Sequence, residues 1–176
     1  MRIHSGSTLQ EIGAIVCEKL RSAGIESFLS GGAVVSIYTQ NKFESFDLDF
    51  VSFGDRKKIK SLMLELGFTQ DASRLFFHPD SKYFVEFPGK SMAIGDEVIK
   101  EFSETLVNGN RLVMLTPTDC IKDRLAAYIH WKDPQGLIQA VMVAKAQPFV
   151  LDRIKKFCSN EGSPEAYLRF IEALQA

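Results

Sequence analysis

The chain has 176 residues, 45% of them hydrophobic, with 21 Lys and Arg against 22 Asp and Glu and a formal net charge of -1. That is enough apolar material for the core of one ordinary domain, without the basic surplus that marks a general nucleic-acid binder. No apolar run reaches the length of a membrane span and the N-terminus carries no basic-then-apolar export signal, so a cytoplasmic protein with no membrane partner is expected.

Thr8-Leu9-Gln10-Glu11 has the form of a capping box, and Leu9, Ile12, Val16 and Leu20 follow at helical spacing until Gly24. Residues 25–29 predict a first strand, Gly31-Gly32 a break, and 33–39 a short helix. The alternating stretch 46–53 predicts a second strand, ended by Gly54-Asp55. Ile59, Leu62, Met63 and Leu66 recur at the helical period within 57–66, and Gly67 supplies the stop. Residues 68–78 and 82–88 are rich in Phe and Tyr around His78-Pro79-Asp80-Ser81, which reads as a β-hairpin with Glu86 on its outgoing arm. A mixed segment runs to the strong turn Asn108-Gly109-Asn110, and 111–115 predict a further strand. Thr116-Pro117-Thr118-Asp119 opens a helical region, with helices expected near 118–131, 135–146, 149–158 and 164–175. The order suits an α+β fold, a mixed β-sheet flanked by helices, with residues 1–115 as its core and 116–176 as a helical C-terminal part.

Chemistry concentrates in two neighbouring stretches. In Phe46-Asp47-Leu48-Asp49-Phe50 the two acids fall on one strand face and the apolar residues on the other, which places the carboxylates side by side at a Cα separation of roughly 6 to 7 Å. Each disfavours ionisation of the other, and a divalent cation removes the conflict; Mg²⁺ is typically held by one or two carboxylates plus substrate phosphates. Gly31 and Gly32 let a phosphate approach the backbone, and the helix that follows aims free N–H groups at it. The plainer alternatives are acids guarding an exposed sheet edge and glycines serving a tight turn. Cys17, Cys120 and Cys158 are odd in number and form no CxxC pair, which indicates reduced thiols. His4, His78 and His130 give no ligand spacing.

Gly-Gly after a strand, a short helix, then Asp-x-Asp on the next strand resembles the signature of the nucleotidyltransferase fold, as in DNA polymerase beta-like enzymes, minimal nucleotidyltransferases and the AbiE-type toxin branch of toxin-antitoxin pairs. The resemblance covers about residues 25–135. It implies transfer of a nucleoside monophosphate from a nucleoside triphosphate to an acceptor hydroxyl by two-metal chemistry. Asp47, Asp49 and, from the later strand, Glu86 would be the catalytic, Mg²⁺- or Mn²⁺-binding acids, and Ser30, Gly31 and Gly32 would seat the nucleotide phosphates. Residues 119–127 resemble the toxin branch's Asp-Lys-Leu-x-Ala helix, with Arg124 where relatives carry the phosphate-binding lysine. Trp131-Lys132-Asp133 resembles that branch's following Lys-Asp element, which makes Asp133 a further site residue. Lys122 points to another helix face, and a solvated charged helix face is the plainer reading of this segment. Small molecule, tRNA and protein all remain open as acceptor. Arg124 in place of lysine keeps a second expectation in view: a non-catalytic nucleotide-binding or regulatory module, antitoxin-like, of the same fold.

Overall fold

The computed structural model describes residues 2–89 and 91–176. The capping box closes at the first helix: the Glu11 amide donates to Thr8 Oγ1 at 3.2 Å and the Thr8 amide to Glu11 Oε2 at 2.8 Å, which starts α1 (Leu9–Ser22). Then come β1 (Ser27–Ser30), α2 (Gly31–Tyr38), β2 (Asp47–Ser52) and α3 (Arg56–Glu65). Three short strands follow, β3 (Thr69–Gln70), β4 (Phe76–Phe77) and β5 (Phe84–Glu86). The latter two are the arms of the expected hairpin. A two-stranded sheet of β6 (Ala93–Ile94) and β7 (Glu97–Val98) stands apart. The hairpin of β8 (Phe102–Val107) and β9 (Asn110–Leu115) turns at Asn108-Gly109, both with positive φ. Helices α4 (Pro117–Trp131), α5 (Pro134–Ala146), α6 (Leu151–Asn160) and α7 (Pro164–Gln175) complete the chain.

Among the described residues, seven strands pair in the order β3-β4-β5-β2-β1-β9-β8. β2 is thus the central strand, antiparallel to β1 and parallel to β5, and the plain edge-strand reading of its acids does not apply. Its burial alternates: Leu48 and Phe50 are fully buried, Asp47 is exposed and Asp49 lies between. The apolar face carries α1, whose Gly13 approaches so closely that an added Cβ would meet Leu112 at 3.3 Å and Leu48 at 3.4 Å. The acids take the opposite face, as the pleat requires. Most element ends fall within two residues of the sequence reading. The helix after the glycine break is one correction, because α2 begins at Gly31 and the two glycines form its first turn.

A few defined bonds tie α2 to the sheet and to the C-terminal helices. The Tyr38 hydroxyl donates to the Leu115 carbonyl at 2.6 Å, and Gln147 Nε2 donates to the Tyr38 carbonyl at 3.0 Å. Thr116 caps α4 by accepting from the Asp119 amide. The plainer alternative for that helix, a solvated charged face, does not hold for Lys122 and Asp119, which are 1% and 2% exposed. The β6–β7 hairpin lies against the helix and supplies Glu97 to Lys122, while Asp119 pairs with both Lys122 and Arg153. Trp131, at the end of α4, is 83% exposed. No helix among the described residues is long and apolar enough to cross a membrane.

A buried ion pair is most costly when one partner is removed, because the remaining charge stays desolvated. Lys122→Ala should therefore destabilise the fold by about 3 kcal/mol, the low end of the range for such losses since Arg153 still faces Asp119. Urea unfolding checks this; a loss within about 0.5 kcal/mol, the level of an ordinary surface change, would contradict it.

Candidate functional site

The register of three strands assembles the site. Ser30 pairs with Asp49 across β1 and β2, and Asp49 pairs with Glu86 across β2 and β5. Paired residues on neighbouring strands point to the same face, and so do Asp47 and Asp49 at alternate positions of one strand. Asp47, Asp49 and Glu86 thus project together from the middle of the sheet. The electrostatics agree: burial first, then the charges of Glu86 and Asp47, push the Asp49 carboxyl up to about 6.

Gly31 completes the enclosure of Asp49. Its φ is +71°, and a Cβ there would stand 2.6 Å from Asp49 Oδ2, so a side chain is opposed both by backbone conformation and by contact. Gly32 lets the loop before β2 close in, since a Cβ on it would meet Ser45 Oγ at 3.2 Å and Phe43 at 3.4 Å. The same loop is tied by Ser36 Oγ, which donates to the Phe43 carbonyl and accepts from the Ser45 amide. Ser30 makes no side-chain cap on α2; its hydroxyl donates to the Asp49 carbonyl at 3.2 Å. The first-turn amides of α2 therefore lack the side-chain oxygen that would ordinarily take them, and they lie beside the acids.

From the opposite wall α4 contributes Arg124, whose positive charge acts on Asp49 and favours its ionised form. The guanidinium donates to Asp123 Oδ2 at 2.6 Å and to Gln139 Oε1 at 3.2 Å. Burial is the largest single influence and would lower its pKa, but the charge and hydrogen bond of Asp123, with smaller contributions from Cys120 and Asp49, together leave the net direction upward. Asp123 was not legible as a site residue: neighbours in a helix sequence point apart, yet its charge also reaches Asp49. Gln139 was missed for want of any motif. Asp133 has a different local part. Its Oδ1 accepts from the Gln135 amide at 3.0 Å as the N-cap of α5, the helix that brings Gln139 to Arg124.

The donor set is all oxygen, which suits a hard cation, and the mutual repulsion at Asp49 is what such a cation would relieve. Among the described residues, however, no group of three or more His, Cys, Asp or Glu side chains stands at metal-holding spacing. The fit is to an ion that brings further ligands from its substrate and from water, as Mg²⁺ commonly does.

No described protein family and no curated protein sequence matches the chain. Solved structures do. An antigenic nucleotidyltransferase-like protein from Paracoccidioides brasiliensis superposes with a TM-score of 0.60 at 14% identity, covering 98% of this chain and 94% of that one. The antibiotic-resistance factor ANT(2'')-Ia superposes with a TM-score of 0.53 at 12% identity, covering 93% and 98%. The chain therefore has the nucleotidyltransferase fold. The likeness does not reach the level of the AbiE-type branch.

Two outcomes follow for the metal-free protein. A carboxyl raised from near 3.8 to about 6 holds its proton in the fold over a range where the unfolded chain has lost it, so stability should fall as pH rises from about 4 to about 6 and then level off. The drop should be about 1–3 kcal/mol, discounted for partial exposure, and Asp49→Asn should flatten it; a profile identical to wild type in that variant would contradict the placement. Gly31→Ala should cost about 1–3 kcal/mol in chemical denaturation from backbone strain and the clash with Asp49. A neutral result would mean that Gly31 is not in the left-handed conformation.

Proposed function

We propose that the chain transfers a nucleoside monophosphate from a nucleoside triphosphate to an acceptor hydroxyl. The observation that carries this reading is the registered trio of Asp47, Asp49 and Glu86 at the centre of a nucleotidyltransferase-like sheet, beside an α2 N-terminus that no side chain caps. The acceptor oxygen attacks the α-phosphorus, a new P–O bond forms, and the bond to the bridging oxygen breaks to release pyrophosphate. Glu86 takes the hydroxyl proton, and the α2 amides with Gly31 and Gly32 hold phosphate oxygens. Ser30 ties β1 to β2 beneath them. Arg124 offsets charge on the departing pyrophosphate, kept in place by Asp123 and by Gln139. Asp133 acts through that same wall by fixing the start of α5. Mg²⁺ or Mn²⁺ held by Asp47, Asp49 and Glu86 would neutralise the phosphates and activate the attacking oxygen. Positioning and fixed charge supply the rest of the rate.

A second reading, a nucleotide-binding module without turnover, is favoured by one observation: the described carboxylates do not themselves form a three-ligand set. The two readings part in a simple assay. With Mg²⁺ and the preferred triphosphate at a hundredfold excess over Kd, stability should rise by about 2.7 kcal/mol, seen as several degrees in Tm, and Asp47→Asn should abolish the gain. Transfer of α-labelled nucleotide into an acceptor pool supports the enzyme; binding without transfer supports the module; no stabilisation by any triphosphate contradicts both.

A further inference from the structure

The row of side chains that carries Asp47 does not end at the acids. Across β2, β5 and β4 the register sets Asp47 beside Phe84 and Phe84 beside Phe77, and paired residues project from one face. Phe84 and Phe77 therefore continue the carboxylate face outward, with their ring centroids 5.3 Å apart in an edge-to-face pair. The next row shows the other side of the pleat, where Leu48, Val85 and Phe76 are all buried. Phe87 joins that apolar layer, against Phe50 and Phe76.

Phe77 and Phe84 are half-buried, yet neither belongs to the core or packs against it. The helices that flank the acids, α2 and α4, pack over β1, β2 and β9. A polar residue is the ordinary choice on the outward side of a half-buried strand, and two paired phenylalanines break that alternation. Breaks of this kind are expected at functional positions.

The geometry of displacement distinguishes the two sides of the site, because the attacking and departing oxygens lie roughly in line across the phosphorus. The start of α2 follows β1 on one side of Asp49. Glu86 and Phe84 stand on the other side, two positions apart on one face of β5. With pyrophosphate leaving toward α2, the hydroxyl enters on the β5 side, and the body that carries it lies against Phe84.

We infer that Phe77 and Phe84 seat the acceptor of the transfer reaction and that the acceptor is a small uncharged molecule with its hydroxyl on an aromatic ring. The assignment rests on the transferase reading. Phe84 is the direct cross-strand neighbour of Asp47, at a strand spacing of about 4.8 Å, so a ring against Phe84 brings its hydroxyl to the carboxylates when the two are joined directly. Such a ring completes an offset or edge-to-face stack with the pair. Asp47, Asp49 and Glu86 adjoin the seat, and Lys82, two residues before Phe84, is taken by Glu44, so the seat repels a polyanionic strand. Two rings also fall far short of the roughly 800 Å² that each partner buries in a stable protein interface.

Titration of the full chain with p-cresol tests it, in the presence of Mg²⁺ and saturating α,β-methylene analogues of the four ribonucleoside triphosphates. Proton–carbon NMR of the aromatic rings should show shifts at Phe77 and Phe84 and none at Phe50 or Phe76. With true triphosphates, KM for nucleotide transfer to p-cresol should rise about three- to tenfold in Phe84→Leu, the worth of one aromatic contact, with kcat little changed. Leucine keeps an apolar side chain at a position outside the core, so the fold and the Tm gain from triphosphate should persist. Absence of shifts at both rings would overturn the proposal, as would equal KM in wild type and variant. A lower KM for the hydroxyl end of an RNA strand or for a cationic aminosugar than for p-cresol would do the same. Displacement of p-cresol by the triphosphate analogues would also overturn it, by making the rings the nucleobase's seat. Ring shifts in a chain that binds triphosphate without transfer, or binds none, would refute the acceptor role through failure of the transferase reading, a result distinct from the others.

Discussion

The site depends on a single constraint: β2 must lie between β1 and β5 in a register that sets Asp49 beside both Ser30 and Glu86. A shift of one residue in either pairing would turn the acids into the apolar layer and Leu48 and Phe50 out to solvent. The buried side of the strand therefore protects the exposed side. Leu48 beneath α1 and Phe50 against Phe87, both fully buried, make such a slip costly, and the position of the carboxylates follows from the packing of the residues between them.

That arrangement concentrates negative charge where the fold gains least from it. Asp49 is partly buried, faces Glu86 and Asp47, and lies against a helix start whose glycine leaves no side chain between them. Arg124 compensates in part, and its own bonds to Asp123 and Gln139 hold it to the α4–α5 wall. An arrangement that raises a carboxyl's pKa beside free backbone amides is poor for stability and suited to a charged ligand, the usual compromise at a functional site. The buried Lys122–Asp119–Arg153 network differs in kind. Its charges are matched within the fold and serve to dock the β6–β7 hairpin and α6 on α4.

Much of this was legible in the sequence because the signals were local. Alternation put the two aspartates on one face, the capping box set α1, and the Asn108-Gly109 turn marked the entry to the last strand, although its partner β8 lay within a mixed segment with no strand signal. The Gly-Gly and Asp-x-Asp spacing pointed to the fold that the solved structures bear out. What was not legible depends on distant partners. Nothing in the sequence of α4 reveals that a two-stranded hairpin would cover Lys122, so an apparently solvated face proved buried. Asp123 and Gln139 carry no motif; they matter because two helices meet at Arg124. The start of α2 was placed two residues late, since Gly31-Gly32 reads as a break unless the helix behind it is known to begin there.

The central claim is that three carboxylates from two neighbouring strands share one electrostatic environment. Carbon-detected NMR titration of the Asp49 carboxyl in the metal-free protein tests it most directly, followed in wild type and in Glu86→Gln. The account predicts a midpoint near 6 in wild type and a lower midpoint once the Glu86 charge is removed. An ordinary value near 4, unchanged by the substitution, would contradict it.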